Sequence, residues 1–421
     1  QLFGSQFYNT AGATTAGITF QPDVDYYRPG KNGNPPVTNG PATYNLAVTD
    51  DNFKFPQIWR TNIAVDQKLP GGLIGSLDFV FTRDLNAVYH QNINLPDPAG
   101  TAAGADNRPI YYKTFPNNNG SNPTANTRLN ATVTDAILMR NTNKPYSYFI
   151  TGQLKKTFGF GLDAMLGYTY TDARSVNDGG SIAQSIWRDR AVSGNPNENV
   201  LSYSNFLKKH RIIASANYRK EYAGFMATSV GFFYELSQAG RFSYVYAGDM
   251  NGDNAGGNND LVYIPKASTD VALTNIHNNA DNTDYTPAQQ WSDLDAYISQ
   301  DKYLNAHRGE YAERNGGIQP WRGQLDIRIL QDFYVQAGGK RNTLQLSLDI
   351  INVANLINSD LGVLKVPNRT NLLTFRGYDA AGVPQFQYPY LNATTKTPLT
   401  KTFRDDLGLL SRWQMQIGLR Y

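Results

Sequence analysis

Leu73-Ile74-Gly75-Ser76-Leu77-Asp78-Phe79-Val80-Phe81-Thr82 is the stretch that decides the fold. One face reads Leu73, Gly75, Leu77, Phe79, Phe81, and the other Ile74, Ser76, Asp78, Val80, Thr82. Strict period-2 alternation held for about ten residues is a β-strand, of the length that crosses a bilayer at a tilt. The pattern recurs. Leu162, Ala164, Leu166, Tyr168, Tyr170 alternate with Asp163, Met165, Gly167, Thr169, Thr171. Leu325, Ile327, Ile329 alternate with Gln324, Asp326, Arg328, and Leu344, Leu346, Leu348, Ile350 with Gln345, Ser347, Asp349.

Alternation alone also fits a soluble sandwich, because a half-buried strand in water alternates too. Connection lengths separate the two. Short turns stand at Leu69-Pro70-Gly71-Gly72, Gly159-Phe160-Gly161, Ala223-Gly224 and Ala337-Gly338-Gly339-Lys340, while long loops are expected near 91–144, 178–206, 248–320 and 357–409. Short turns on one rim and long loops on the other make an outer-membrane barrel pattern, and structureless loops of that size are uncommon in compact soluble domains. Phe158, Phe160, Tyr222, Phe225, Phe333 and Tyr334 sit beside the short turns, where a membrane interface favours amphipathic rings. The chain ends on an alternating strand with Trp413, Met415, Ile417, Leu419 and Tyr421 on one face. A terminal strand closing on an aromatic residue resembles the signal read by the outer-membrane insertion machinery.

Composition agrees with an all-β chain and excludes several classes. Its 421 residues are 12% aromatic and 17% charged, with 27 Tyr, 37 Gly and a mean hydropathy of -0.48. That is too polar for a helical membrane protein and too aromatic for a disordered one. No apolar run is long enough for a transmembrane helix, and no signal peptide is visible. Without Cys there is no disulfide framework, thiolate metal site or Cys nucleophile. A net charge of +3 without a dense basic run gives no support for nucleic-acid binding. No G-x-S-x-G, P-loop or dinucleotide fingerprint appears, and His90, His210, His277 and His307 lack metal-ligand spacing, so no enzyme is expected.

Further motifs carry a family resemblance. They are Tyr246-Ala247-Gly248-Asp249-Met250-Asn251-Gly252-Asp253 with Asn259-Asp260-Leu261-Val262-Tyr263-Ile264-Pro265, then Tyr303-Leu304, Arg308-Gly309 and Ala312-Glu313-Arg314-Asn315. Pro320-Trp321, Leu325-Asp326-Ile327-Arg328-Ile329, Asp332-Phe333 and the run from Ser347 to Leu356 continue them. Over about its last 190 residues the chain resembles the C-terminal barrel region of TonB-dependent outer-membrane receptors, particularly the Oar-like group of Bacteroidetes type. The resemblance implies a barrel of about 22 strands filled by a plug, and import or gated passage of a bulky substrate. It also implies outer-membrane lipid, a plug with further N-terminal strands, and the TonB system as partners, with a surface lipoprotein as a further candidate. A passive porin, or a barrel serving adhesion, display or secretion, remains the competing reading.

The expected organisation is therefore an external loop segment over 1–53, followed over 54–421 by about nine strands of the C-terminal part of a larger antiparallel transmembrane β-barrel. An odd count that starts on the outside cannot close a bacterial barrel, so the missing strands and plug are expected from an N-terminal piece of the same precursor or a separate chain. Alternation turns Asp78, Asp163, Arg211, Arg219, Asp326, Arg328 and Asp349 toward the lumen, to pair either with a plug or with one another.

Two loop motifs suggest local chemistry. Asp249, Asn251, Asp253 and Asp260 occupy positions 1, 3, 5 and 12 of a D-x-N-x-D-N-x5-D run, close to an EF-hand-type calcium loop, although Asn254 replaces the turn Gly and Asp260 the longer Glu. A bound Ca2+ and a polar loop held by Asx-turns both fit. Thr286-Pro287-Ala288-Gln289 supplies an N-cap, a Pro at the first helical position and a Gln at N3, predicting a helix to about Gln300 with Leu294, Tyr297 and Ile298 on its apolar stripe.

Overall fold

The computed structural model describes residues 23, 25–26, 44–115, 128–255 and 258–421. Its centre is one antiparallel sheet of nine long strands, each paired with its sequence neighbour. They are β1 (Ile58–Leu69), β2 (Leu73–Asp84), β3 (Tyr146–Thr157), β4 (Leu162–Ser175), β5 (His210–Tyr222), β6 (Met226–Gln238), β7 (Trp321–Ala337), β8 (Lys340–Ile351) and β9 (Gln414–Arg420). The expected strand set and its alternation between short and long connections are both present. The turn between β5 and β6 places Ala223 at φ 55° and Gly224 at φ 73°, and that between β7 and β8 places Gly338 at 61° and Gly339 at 72°, the paired left-handed geometry that matches strand twist in a tight hairpin.

Register keeps each face uniform from strand to strand. One row runs Val65, Leu77, Gly152, Tyr168, Ile212, Leu236. Another runs Ile329, Leu348, Ile417. The opposite face runs Asp78, Thr151, Thr169, Arg211, Ser237. The apolar face is the bare one: Leu77 is 58% exposed, Ile63 63%, Leu166 52% and Ile417 75%. A belt of that kind would be an aggregation hazard in water and is the natural outer surface of a barrel in lipid. Aromatic residues rim it on both sides, with Phe160, Tyr222 and Phe225 near the short turns and Trp59, Trp321 and Trp413 at the other ends of the strands.

The apolar core of the molecule lies in the connections, not in the sheet. Three of the four long loops share one cluster in which Tyr244, Met250, Val262, Ile264, Leu294, Tyr297, Leu372 and Tyr388 are fully buried. Helix α1 (Ala183–Arg188) belongs to the β4–β5 loop, and α2 (Pro287–Gln300) and α3 (Lys302–Ala306) to the β6–β7 loop. Helix α2 begins as the sequence predicts. Thr286 accepts from the Gln289 N–H while the Gln289 side chain accepts from the Thr286 N–H, and Leu294, Tyr297 and Ile298 drive into the core. Within the β2–β3 loop, Val133–Thr142 pairs antiparallel with Ala87–Asn92 and parallel with Tyr44–Thr49. The remainder of the expected 1–53 segment lies almost wholly outside the described residues, as does 116–127 of the first long loop.

Candidate functional site

Two surfaces are candidates: the polar face of the strands and the aspartate loop in the packed layer. On the polar face, charged residues pair along the wall. Arg211 grips Glu235 with two bonds of 3.1 and 3.0 Å. Arg219 meets Asp332 at 3.0 Å, and Arg328 meets Asp349 at 2.9 Å. Asp163 accepts from Thr157 Oγ1 at 2.5 Å, and Asp326 from the Asn352 N–H at 2.8 Å. Ion pairs along the wall thus take Arg211, Arg219, Arg328 and Asp349, and neutral donors take Asp163 and Asp326. Asp78 is the exception, its Oδ1 buried with no hydrogen-bond partner among the described residues.

The aspartate loop is built from its own backbone. Asp249 accepts from the Gly252 N–H at 2.7 Å and the Asn254 N–H at 3.0 Å, closing the turn. Gly252 holds φ 74°, and a Cβ there would stand 2.8 Å from the Tyr112 backbone nitrogen, so only Gly fits. Asn254 sits at φ 67°, the left-handed conformation that Asn tolerates in place of Gly. Asp253 accepts from the Ala255 N–H at 2.8 Å and from the Asn251 and Asn259 amides at 3.1 and 2.9 Å. Asp260 accepts from the Met250 N–H at 2.8 Å and turns its other oxygen to Arg108 at 3.0 Å.

The four residues are therefore brought into one buried loop, with Asp260 facing a guanidinium. Among the described residues, no three acidic or histidine side chains are arranged as a metal-holding group. Burial and mutual repulsion push all three carboxyls up to about 6: Asp249 by burial and then Asp260, Asp253 by burial and then Asp249, Asp260 by burial and then Asp253 against the pull of Arg108. Asn259, 1% exposed, points its amide at Asp253 and leaves its Oδ1 without a hydrogen-bond partner among the described residues.

Arg108 and Asp106 went unnoticed in the sequence reading. Arg108 bonds Asp106 twice at 2.9 Å, Asp260 at 3.0 Å and the Leu261 carbonyl at 2.5 Å, and lies over the rings of Tyr246 and Tyr311. The one signal available was a D-x-R triplet ahead of Pro109, which says nothing of a partner in another loop. The histidines stay apart. His277 meets Asp284 at 2.7 Å across a loop hairpin, a carboxylate partner that spacing did not reveal, and His210 stacks among Tyr168, Tyr170 and Trp321.

A family model described as an outer membrane beta barrel domain matches residues 3–372. That span takes in the motifs between Tyr246 and Leu356 and extends far upstream of them. No curated protein and no solved structure matches the chain. Nine antiparallel strands with a bare apolar belt, long connections on one rim and this match agree: the chain belongs to the outer membrane beta barrel domain family and lies in the bacterial outer membrane as a multi-pass β-barrel.

Proposed function

We propose that the chain is the barrel part of a TonB-dependent transporter that moves a bulky substrate across the outer membrane. The observation that carries this reading is the packed loop layer. A passive porin works through an open, water-filled mouth. Here the long connections instead share a buried aromatic core, and the family-like stretches Tyr246–Asp253 and Asn259–Pro265 lie at its centre through Tyr246, Met250, Leu261, Val262 and Ile264. Rigid, folded connections favour passage that is gated over passage that is always open. The reading calls for a plug and for strands beyond β1 and β9, and assigns no catalysis to the chain.

The test is electrical and energetic. Purified full-length protein in a planar bilayer should show no large steady conductance, and uptake by cells should stop when the proton-motive force is collapsed. Steady ohmic pores would transfer the function to a passive porin.

A calcium ion in the aspartate loop is proposed as well. Asp249 and Asp253, with the amide oxygens of Asn251 and Asn259, offer oxygen ligands to a hard cation, while Asp260 stays with Arg108. What favours it is charge. Asp106, Asp249, Asp253 and Asp260 share this region with Arg108, so a buried surplus of carboxylates lacks a cation.

A further inference from the structure

Arg190, Arg241 and Arg314 line a cavity of about 320 Å³ at the foot of the loop layer, together with Ser181, Ser185 and Asn205. They come from the β4–β5 loop and from both ends of the β6–β7 loop. Each is buried, at 6%, 7% and 7% exposure. Among the described residues none of the three forms an ion pair within 4.0 Å.

Their hydrogen bonds go to backbone carbonyls. Arg190 donates to Pro196, Arg241 to Asn315 at 3.0 Å, and Arg314 to Val176 and Ser175 at 2.7 and 2.5 Å. The Nε atoms of Arg190 and Arg314 are buried and donate to nothing among the described residues. A fourth guanidinium crowds the cluster, since Arg174, itself 3.7 Å from Asp172, and Arg241 lie 3.5 and 4.0 Å from the centre of the Tyr203 ring.

The nearby acids act on these charges only from a distance, Asp172 and Glu313 on Arg241 and Asp178 on Arg314. Asp178 spends one oxygen on Ser175 Oγ at 2.8 Å and the other on Asn315 Nδ2 at 2.9 Å. Asp189 turns out to Arg188 at 2.8 Å, with its side chain 63% exposed. The contrast within the same layer is Arg108, equally buried and held by two carboxylates. Burial and the neighbouring Arg314 push Arg190 down to about 10. Buried guanidiniums with no carboxylate at ion-pair distance are expensive and persist where something bound offsets the cost.

We infer that this cavity binds an anionic group, a carboxylate or a phosphate, presented by a small solute or by one end of a larger substrate. Three guanidiniums lining one cavity, with no carboxylate at ion-pair distance among the described residues, suit the forked oxygens of both. The volume is at the small end for a ligand site and accommodates one sugar-acid or phosphate-sized unit. The inference stands whether or not passage is energy-coupled.

The test uses the full protein in detergent, with sodium phosphate and sodium glucuronate as separate probes and sodium chloride at matched ionic strength as control. Calorimetry should detect at least one of the two at millimolar concentration, and which one binds identifies the group. Arg190→Gln should weaken that binding by roughly ten-fold or more, as for loss of a charge-assisted contact. Arg188→Gln, whose guanidinium is turned away to Asp189, should leave it unchanged. If Arg190→Gln fails to assemble, phenylglyoxal modification of the unaltered protein read by mass spectrometry replaces it, and the bound anion should protect Arg190 and Arg314. Binding of neither anion, unaltered affinity in Arg190→Gln, or no protection would overturn the proposal.

Discussion

Arg108 and Asp260, 152 residues apart in sequence, form a buried ion pair with Nη1 3.0 Å from Oδ1. The pair ties the β2–β3 loop to the β6–β7 loop, and Arg108 reaches the Leu261 carbonyl in the same motion. Tyr112 adds a bond to the Asp249 carbonyl, and Tyr378, from the β8–β9 loop, one to the Met250 carbonyl at 2.8 Å. Three connections thus converge on one guanidinium and one turn.

Replacing that guanidinium should loosen the layer without dissolving the sheet. Arg108→Met leaves Asp106 and Asp260 buried without their cation, a change that costs about 3–5 kcal/mol when one member of a buried pair is lost. Limited proteolysis should then cut within the loops of a protein that still migrates as a folded barrel. Loops as resistant as those of the unaltered protein would show that the pair is not what joins them.

The aspartate loop predicts a coupled response to calcium and pH. Asp249, Asp253 and Asp260 are raised from the usual carboxylate range to about 6, so between about pH 4 and 6 the folded loop holds more protons than the unfolded chain. Their contribution to stability is therefore present at low pH and lost as pH rises through 6. His90 runs the other way: burial, with Arg190 behind it, lowers it to about 4, so its contribution is lost as pH falls below about 6.5. A calcium ion would offset the carboxylate repulsion where they are ionised. Calcium should raise the unfolding temperature of the loop layer at pH 7.5 and do little at pH 5, with magnesium a poor substitute. No calcium shift at pH 7.5, or an equal one from magnesium, would remove the ion from the loop.

Strand register makes a third prediction, which the absence of native Cys keeps clean. Single Cys at Leu77, Phe79, Leu166, Leu346 or Leu348 should react with a lipid-restricted reagent, and Cys at Asp78, Asp163, Gln345 or Asp349 with a water-soluble one. Leu346→Arg should impair insertion, since a cation on the lipid face near mid-bilayer costs roughly 2 to 4 kcal/mol. Labelling of the second set by the lipid reagent would mean that the register is shifted by one.

The strands were legible because a membrane strand writes its environment into every second residue. Leu73 to Thr82 needs no partner to be read, and Thr286 to Gln289 caps its helix through contacts three residues apart. The layer above the sheet was not. Tyr244, Tyr297, Leu372 and Leu399 share one core spanning three connections, and no local period records such meetings. The calcium-like spacing was visible in the sequence, yet spacing could not show that Asp260 faces Arg108. Arg190 and Arg241 stand in no motif, Arg314 stands in the Ala312–Asn315 run without a partner in view, and only folding makes the three a cluster.

The last prediction concerns the two edges of the sheet. Among the described residues β1 pairs only with β2 and β9 only with β8, so Ile58–Leu69 and Gln414–Arg420 each keep one side of their backbone unpaired. Nine strands in strict antiparallel succession leave β1 and β9 running in the same direction, so direct closure would need a parallel seam, whereas bacterial barrels close antiparallel with an even number of strands. Open edges in lipid cost several kcal/mol per unsatisfied group, which argues for further strands along both. Cys introduced at Val65 and at Ile417 should therefore not cross-link to each other in the membrane. Each should instead be captured by a strand outside β1 to β9. A disulfide forming readily between the two would show that the nine strands close on themselves and would refute the larger barrel.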